Sequence, residues 1–358
     1  MTGQYLSASY YQSLLAEARG ESPRLSTETI CDASLSGSSK SDWKGGRGLA
    51  ILHDANDPLA PSDTRTNRHV LKLSTANGMP AEIIGPGDHG ALPDFDALWI
   101  RTHTSPANAT YGFARRAEEL GMPVIDDSAS IRRCGNKAFQ AERFRCNGIP
   151  TPRTLVVTQA TPMSEIEAEL PYPMVVKEPE GSFSTGVYKA DIREELEMLL
   201  AALFANSHVA VLQAFVPTAF DWRIGLLDGE ILFACKYRMA KGHWQILKQG
   251  NSGETLSGAS FAVPVGAVPP EVAKAARSAA ATIGRGLYGV DLKQTEKGVV
   301  VIEVNDNPDI KRGIEDRADG DAIWLKILSW FSAQTLVARL GPRVSHATVS
   351  LPEARRAS

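Results

Sequence analysis

From Gly48 onward, short apolar runs alternate with segments of helical periodicity. "GLAILHD" reads as a buried strand, "SDTRTNRHVLKLSTANG" as a helix ending at Gly78, and "AEIIG" as a second strand. "DALWIRTHT" is a third strand, followed by the helix "ANATYGFARRAEELG" and the strand "MPVIDD". Strands alternating with helices predict a parallel sheet covered by helices, and this alternation stops near Asp127. Upstream, Tyr11, Leu14, Leu15 and Ala18 recur at helical spacing within residues 10–21. The Ser/Gly-rich stretch at residues 32–48 predicts a mobile loop.

Beyond Ser128 the pattern changes. "SASIRRCGNKAFQAERFRCNG" predicts one helical segment closed by Gly148, and "IPTPRTLVV" leads into a strand. "PMVVKEPEGSFSTGVYKA" predicts strand, Gly-rich loop, strand; a helix covers residues 193–205, and "VAVLQAFVP" is a further strand. "FDWRIGLLDGEILFACKYR" predicts a hairpin turned at Asp228-Gly229, a pair that two-residue turns favour. After a helix over residues 270–287, "GVDLKQTEKGVVVIEVND" predicts a second hairpin, turned near Lys297-Gly298. A last helix runs through "DAIWLKILSWFSAQTLVARL", and residues 341–358 lack an apolar face, predicting a disordered tail.

At 358 residues the chain has room for about two domains. A net charge of −3 gives no electrostatic reason to expect nucleic acid or an anionic membrane as partner. No basic stretch followed by an apolar core and cleavage site opens the chain, so no signal peptide is expected, and no apolar run approaches a membrane span. Four cysteines without a CxxC pair are expected to be reduced thiols in a cytoplasmic protein.

The chemistry concentrates where the apolar run "VVVI" ends in Glu303, Asn305, Asp306 and Asn307. Glu303 and Asn305 share one face of a strand, and Asp291 lies on the partner strand of the same hairpin. Two carboxylates and an amide oxygen, without His or Cys, suit a hard cation that keeps water and phosphate ligands, Mg²⁺ above all. A strand end simply meeting solvent is the alternative for any one of these acids. Lys177 and the small polar loop from Gly181 to Gly186 offer a charge and backbone N–H groups to phosphate, although the segment alone could be an ordinary Gly/Ser hairpin. Arg223, Lys236 and Arg238, on strands of the other hairpin, are expected to face an anion; internal salt bridges would serve equally. Lys137, taken alone, would be a solvent-facing lysine.

In order and approximate spacing these pieces resemble the ATP-grasp superfamily, and "GVDL" and "IEVNDNP" resemble its RimK-type, glutamate-ligase-like branch. "YYQSLLAEARG", "DALWIRTHT", "GSFSTGV" and "CKYRMAKGHWQI" extend the likeness to RimK-like proteins that carry an N-terminal domain of their own. The resemblance implies an α/β fold, with a Rossmann-like N-terminal parallel sheet in residues 1–127 and a two-lobed ATP-grasp domain in 128–340, whose small lobe is about 151–215. It implies ATP contacts at Lys137, Lys177 and Glu178, at Gly181, Ser182, Phe183, Ser184 and Gly186 of the loop, and at Gln213, Ala214, Phe215 and Val216. Asp291, Glu303 and Asn305 would hold two Mg²⁺ ions, with Mn²⁺ as the alternative ion. The implied activity joins a carboxylate to an amine through an acyl phosphate, with ATP going to ADP and phosphate. Arg223 would stabilise the transferred phosphoryl group and the oxyanion, with Lys236 and Arg238 as further candidates.

Three departures bear on the substrate. The N-terminal domain looks shortened, "RTHTSPANATYGF" differs from the usual pattern, and Lys311 and Arg312 stand where an acid and a small residue are common. Substrate contacts are expected at Arg101, Thr102, His103, Asn307, Lys311 and Arg312, with an amino acid or peptide as substrate and a homo-oligomer as the assembly common in such ligases. Two other readings remain at this level: an ATP-grasp phosphotransferase that makes no amide, and a nucleotide-binding relic.

Overall fold

The computed structural model describes residues 4–33, 35, 43–181, 185–249 and 255–340. The tail expected at 341–358, positions 34 and 36–42 of the expected loop, and Ser182, Phe183 and Ser184 lie outside them.

Helix α1 (Ala8–Arg19) starts where Ser7 accepts a hydrogen bond from the Tyr10 N–H, and stops at Gly20 in the left-handed region, φ 81°. It buries Tyr10, Tyr11, Leu14 and Ala18. A short α2 (Thr27–Asp32) follows, which periodicity did not predict. Then come β1 (Leu49–Leu52), α3 (Thr64–Ala76), β2 (Ala81–Ile84), β3 (Ala97–Ile100), α4 (Ala109–Leu120) and β4 (Val124–Ile125). The four strands form the expected parallel sheet, in the order β2-β1-β3-β4. Every residue of β1 and β3 is buried, as strands covered on both faces require.

The helical segment from Ser128 is two helices, α5 (Ser128–Cys134) and α6 (Lys137–Cys146). Asn136 breaks it: its backbone is extended, and its side chain accepts from the Phe139 N–H at 3.0 Å, capping α6. Lys137 thereby becomes the first residue of a new helix, beside the following sheet.

That sheet is built from β5 (Thr154–Val157), β6 (Met174–Lys177), β7 (Val187–Ala190) and β8 (Ala210–Ala214), with α7 (Met163–Glu169) and α8 (Arg193–Phe204) between them. It is antiparallel, in the order β5-β8-β6-β7. Leu196 and Leu200 of α8 pack on Met174 and Val176 in a core of their own. Helix α7 escaped prediction because Ile166 is its only buried residue.

The rest of the chain gives β9 (Phe220–Leu227), β10 (Glu230–Arg238), β11 (Leu247–Gln249), β12 (Thr255–Ser257), β13 (Ser260–Val263), α9 (Pro270–Ala281), β14 (Leu287–Thr295), β15 (Gly298–Asp306) and α10 (Ala322–Leu340). Both predicted hairpins form, the first turning at Asp228 (φ 53°) and Gly229 (φ 85°). Helix α9 ends sooner than expected because Leu287 already belongs to β14. A five-stranded antiparallel sheet results, in the order β13-β10-β9-β14-β15. Its two faces are served differently. Trp222, Ile224 and Val290 meet α9, whereas Leu227, Phe233 and Leu287 meet α10. Trp324, Ile327 and Phe331 of α10 share this core with Ile51 and Trp99, the Phe331 and Trp99 ring centres lying 6.1 Å apart, so this helix is wedged between the parallel and the five-stranded sheets. No helix of the described residues is long and apolar enough to cross a membrane.

Candidate active site

Asp291 on β14 pairs with Glu303 on β15 and with Arg223 on β9, and Gly289 pairs with Asn305. The register puts all four polar side chains on one face of the sheet, as the hairpin pattern predicts. Arg223 donates from Nε and one terminal nitrogen to the two oxygens of Asp291, at 2.8 Å each. The Asn305 amide lies 3.3 Å from Asp291 Oδ2 and 3.4 Å from Glu303 Oε1. Gly289 keeps the close approach: a Cβ there would meet the Pro308 ring at 2.8 Å.

Pairing slips between Asp291 and Leu292, so Ile302 and Glu303 together oppose one residue of β14. This bulge turns both side chains into one cavity, which strict alternation along "VVVIEV" does not foresee. The cavity, of about 130 Å³, lies between the four-stranded and the five-stranded antiparallel sheets. Of the predicted ATP contacts, Lys137, Lys177, Gly181, Gln213, Ala214, Phe215 and Val216 line it. Lys177 donates to Gln213 Oε1 at 2.8 Å, and the Lys137 ammonium donates to the Gly181 carbonyl. Glu178 and Gly186 stand back from the lining. The Glu178 side chain packs against Gly186 (φ 69°), where a Cβ would come within 2.7 Å of it. Lys293 and Asp221 also line the cavity and were missed; Trp244, which the sequence leaves open as a substrate wall or a packed corner, lines it too. Lys293 could have been found, since it lies two residues from Asp291 on the unbulged strand. Its ammonium donates to Asp221 at 2.6 Å and to Thr218 at 2.9 Å.

The electrostatics match the geometry. Burial pulls the Lys177 ammonium down to about 8, against the attraction of Glu303, and burial also lowers Lys137. Burial alone would raise Glu303, but Lys137, Lys177 and Arg223 outweigh it and hold the carboxyl below its ordinary range. Glu180, next to the Gly-rich loop, is pushed up to about 7 by burial. It accepts from the Tyr11 hydroxyl at 2.6 Å and from the Asn136 amide, which ties α1 to the loop's base.

A second cavity, of about 340 Å³, lies on the other side of Asp291 and Glu303, which line both. Arg223 and Asn305 face it, as do the predicted substrate contacts His103, Asn307 and Lys311. The other three predicted contacts are placed elsewhere. Arg101 is 1 % exposed and donates to Asn307 Oδ1 at 2.8 Å, the Pro308 carbonyl at 3.1 Å and the Pro61 carbonyl at 2.8 Å. The Thr102 hydroxyl donates to Asp57 at 2.6 Å, and Arg312 is exposed outside the cavity with its backbone N–H on Thr66.

Lys236 and Arg238 do not join Arg223. Arg223 pairs with Cys235, so the neighbouring positions 236 and 238 point to the opposite face of the sheet. There the Lys236 ammonium sits 4.5 Å from the Trp222 ring and 4.6 Å from Phe220, and Arg238 lies over Phe261 at 5.0 Å. The same alternation brings Tyr237 to the site, with its ring centre 5.4 Å from the Arg223 guanidinium. Its hydroxyl donates to Glu315 Oε1 at 2.5 Å, and Glu315 Oε2 accepts the Lys311 N–H at 2.7 Å.

A family model described as a RimK-like ATP-grasp domain matches residues 135–330. The chain is 30% identical over 275 residues to a probable alpha-L-glutamate ligase of Thioalkalivibrio sulfidiphilus, covering 72% of this chain and 88% of that one. It is 30% identical over 246 residues to the ribosomal protein bS6–L-glutamate ligase of Shigella boydii, covering 67% and 77%. Among solved structures, the D-alanine–D-alanine ligase of Bacillus anthracis complexed with ATP superposes with a TM-score of 0.63 at 17% identity, covering 82% of this chain and 98% of that one. A RimK domain ATP-grasp protein of Sphaerobacter thermophilus gives 0.59 at 18%, covering 79% and 98%. The chain belongs to the RimK-like ATP-grasp family. With that membership goes ATP-dependent, ADP-forming ligation of a carboxylate to an amine.

Proposed function

We propose that the cavity between the antiparallel sheets holds ATP, that the larger one holds carboxylate and amine, and that Asp291 and Glu303 stand where the γ-phosphoryl group passes between them. The observation that carries this reading is the shared wall. Two carboxylates separate a cavity lined by Lys137 and Lys177 from one faced by Arg223. Asp291 and Glu303, with Asn305 turned to present its amide oxygen, form a hard-oxygen donor set that fits Mg²⁺. Among the described residues no three His, Cys, Asp or Glu side chains converge, so water and phosphate oxygens would complete the shell. Two such ions, as in the family at large, would neutralise charge on the triphosphate.

In the first step a carboxylate oxygen attacks the γ-phosphorus, the bond to the β-bridging oxygen breaks, and ADP leaves. In the second, the amine attacks the acyl carbon, the carbon–oxygen bond to phosphate breaks, and the amine's proton departs with phosphate or to water. The chain's own work is positioning and charge compensation. Lys137 and Lys177 hold phosphate oxygens, and Arg223, fixed by Asp291 and backed by Tyr237, faces the acyl oxyanion. An amino acid or peptide as substrate draws support from the relatives named as glutamate ligases, one of them on a ribosomal protein. The change of architecture after β4 supports a division near Asp127 into an N-terminal domain and the ATP-grasp domain.

Hydroxylamine tests the reading directly. Purified protein with ATP, Mg²⁺ and a panel of amino acids and short peptides should release ADP and trap a hydroxamate. Phosphorylated product without hydroxamate would mark a phosphotransferase, and AMP with pyrophosphate would sink the acyl phosphate.

A further inference from the structure

Helix α1 lies outside residues 135–330, which the family model matches, yet one of its side chains reaches the edge of the ATP cavity. Tyr11 is 3 % exposed, and its hydroxyl donates to Glu180 Oε2 at 2.6 Å, just beyond the end of β6. The other carboxylate oxygen, Oε1, accepts from the Asn136 amide. Asn136 cannot turn that amide round, because its own Oδ1 caps α6 through the Phe139 N–H. Two donors, one on each oxygen, suit an ionised carboxylate.

The charge of Glu180 matters because of the residue that follows Asn136. Lys137 is fastened to the same stretch of chain: its backbone N–H donates to the Pro179 carbonyl at 2.7 Å, and its ammonium to the Gly181 carbonyl. Burial lowers this ammonium, and three carboxylates oppose the shift, Glu303 first, then Glu180 and Glu178. Glu303 belongs to the proposed metal site, and the Glu178 side chain packs on Gly186. Glu180 differs from both, since its partner comes from outside the matched domain. Without the Tyr11 hydroxyl, a largely desolvated carboxylate oxygen would lack its donor while a lysine ammonium stands nearby. Ion pairing is what such an oxygen gains most from.

We propose that Tyr11 is a positioning residue of the ATP site: by occupying Glu180 it keeps that carboxylate from capturing the Lys137 ammonium, which is thereby left for phosphate. Helix α1 then sets the affinity for ATP through one hydroxyl. The proposal rests on the reading of Lys137 as a phosphate ligand.

The competition carries a pH signature. Burial pushes the Glu180 carboxyl up to about 7, against the hydrogen bond from Tyr11 and the charge of Lys137. Tyr5 and Tyr10, whose hydroxyls also feel Glu180, are raised by burial and stay neutral. At lower pH the carboxyl takes a proton and no longer competes for Lys137.

The test measures calorimetrically how the full chain binds the Mg²⁺ complex of adenylyl imidodiphosphate, a non-hydrolysable ATP analogue, at pH 8 and pH 6. At pH 8 Tyr11→Phe, which keeps the ring, should weaken binding by about tenfold, the scale of one charge-assisted contact. At pH 6 the deficit relative to wild type should largely vanish. Adding Glu180→Gln to Tyr11→Phe should restore binding at pH 8, because the amide still accepts from Asn136 and offers Lys137 no charge. A second substitution that repairs the first separates competition from damaged packing. Glu180→Gln alone should bind as tightly as wild type or more tightly, which keeps the proposal testable if Tyr11→Phe folds poorly. Wild-type affinity in Tyr11→Phe, a deficit equal at both pH values, a double variant no better than Tyr11→Phe, or weaker binding by Glu180→Gln overturns the proposal. Lys137→Gln tests the reading beneath it. If that variant binds more weakly than wild type, the phosphate role of Lys137 stands whatever becomes of Tyr11; if it binds equally well, both fall.

Discussion

Arg223 and Asp291 face each other on adjacent antiparallel strands and are joined by two parallel hydrogen bonds of 2.8 Å. The fork fixes the guanidinium at the boundary between the two cavities before any substrate arrives, and this orientation is what a lysine cannot reproduce. Arg223→Lys and Arg223→Gln should each lower kcat by about 10²–10³-fold, the range for losing one preorganised donor to a developing oxyanion. Hydroxamate formation in steady state should fall in parallel. A variant with wild-type kcat and a raised KM alone would reassign Arg223 to substrate binding.

Tyr237 connects that arginine to the substrate turn, with its ring beside the guanidinium and its hydroxyl on Glu315. Tyr237→Phe keeps the ring and removes the hydroxyl. It should raise the amine KM several-fold with little change in kcat, because Glu315 then loses its hold on the Lys311 turn. Tyr237→Ala removes the ring as well and should lower kcat. Steady-state kinetics with the amine varied at saturating ATP distinguish the two; a kcat loss of equal size in both would place the hydroxyl in the chemical step.

Lys177 gives a pH dependence. In the ligand-free protein burial lowers its ammonium to about 8, against an ordinary value of ~10.4. Between those values the unfolded chain binds more protons than the folded one, so this group makes the ligand-free protein more stable as pH rises from about 8 to about 10. ATP has the opposite preference, since its phosphates favour the charged lysine. Above pH 8 binding should take up a proton and weaken by up to about tenfold per pH unit. Calorimetric titration from pH 7 to 9.5 in two buffers of different ionisation enthalpy measures the uptake. A slope that persists in Lys177→Gln would assign it to another group.

The fold was legible because its signals are local. Alternating apolar runs and helices gave the parallel sheet, and Asp228-Gly229 gave the first hairpin at its turn. The grouping of Asp291, Glu303 and Asn305 was legible because Glu303 and Asn305 share a pleat face and the hairpin turn brings Asp291 beside them. What failed was parity across strands. Placing Lys236 and Arg238 with Arg223 requires knowing which residue of β10 lies opposite Arg223, and only the register supplies it. Cys235 holds that position, so Tyr237, rather than its charged neighbours, reaches the site. Ile302 was hidden by the bulge, and Arg101 by the Asn307 and Pro61 partners that the folded chain brings to it over long sequence separations.

The parity correction has its own consequence. Lys236→Gln and Arg238→Gln should leave kcat and both KM values within about twofold of wild type. Lys236→Gln should still cost about 0.5–1 kcal/mol of stability, because the ammonium sits on the Trp222 and Phe220 rings. Urea denaturation together with ADP release tests both halves. A tenfold loss of kcat in either variant would restore these residues to the phosphoryl site.

Arg101 makes the strongest case for a residue that serves the site without lining it. Its guanidinium reaches from the end of β3 to three acceptors in two directions: Asn307 and Pro308 on one side, Pro61 on the other. Asn307 has φ 45°, a conformation that a non-glycine residue keeps only when its surroundings hold it, and Arg101, Thr102 and Asp126 all bond to it. Burial lowers the Arg101 guanidinium to about 10, against the pull of Asp309, so at neutral pH it remains charged. Arg101→Leu leaves three buried acceptors unpaired and should cost about 3–5 kcal/mol. Arg101→Lys should recover little of this, because one ammonium cannot span both directions. In any Arg101→Lys protein that folds, the turn bearing Asn307 and Lys311 should loosen and admit water to the acyl phosphate. ADP release without added amine should then rise relative to coupled product formation. If Arg101→Lys instead keeps wild-type stability and coupling, the arginine fork is not what holds the substrate turn in place.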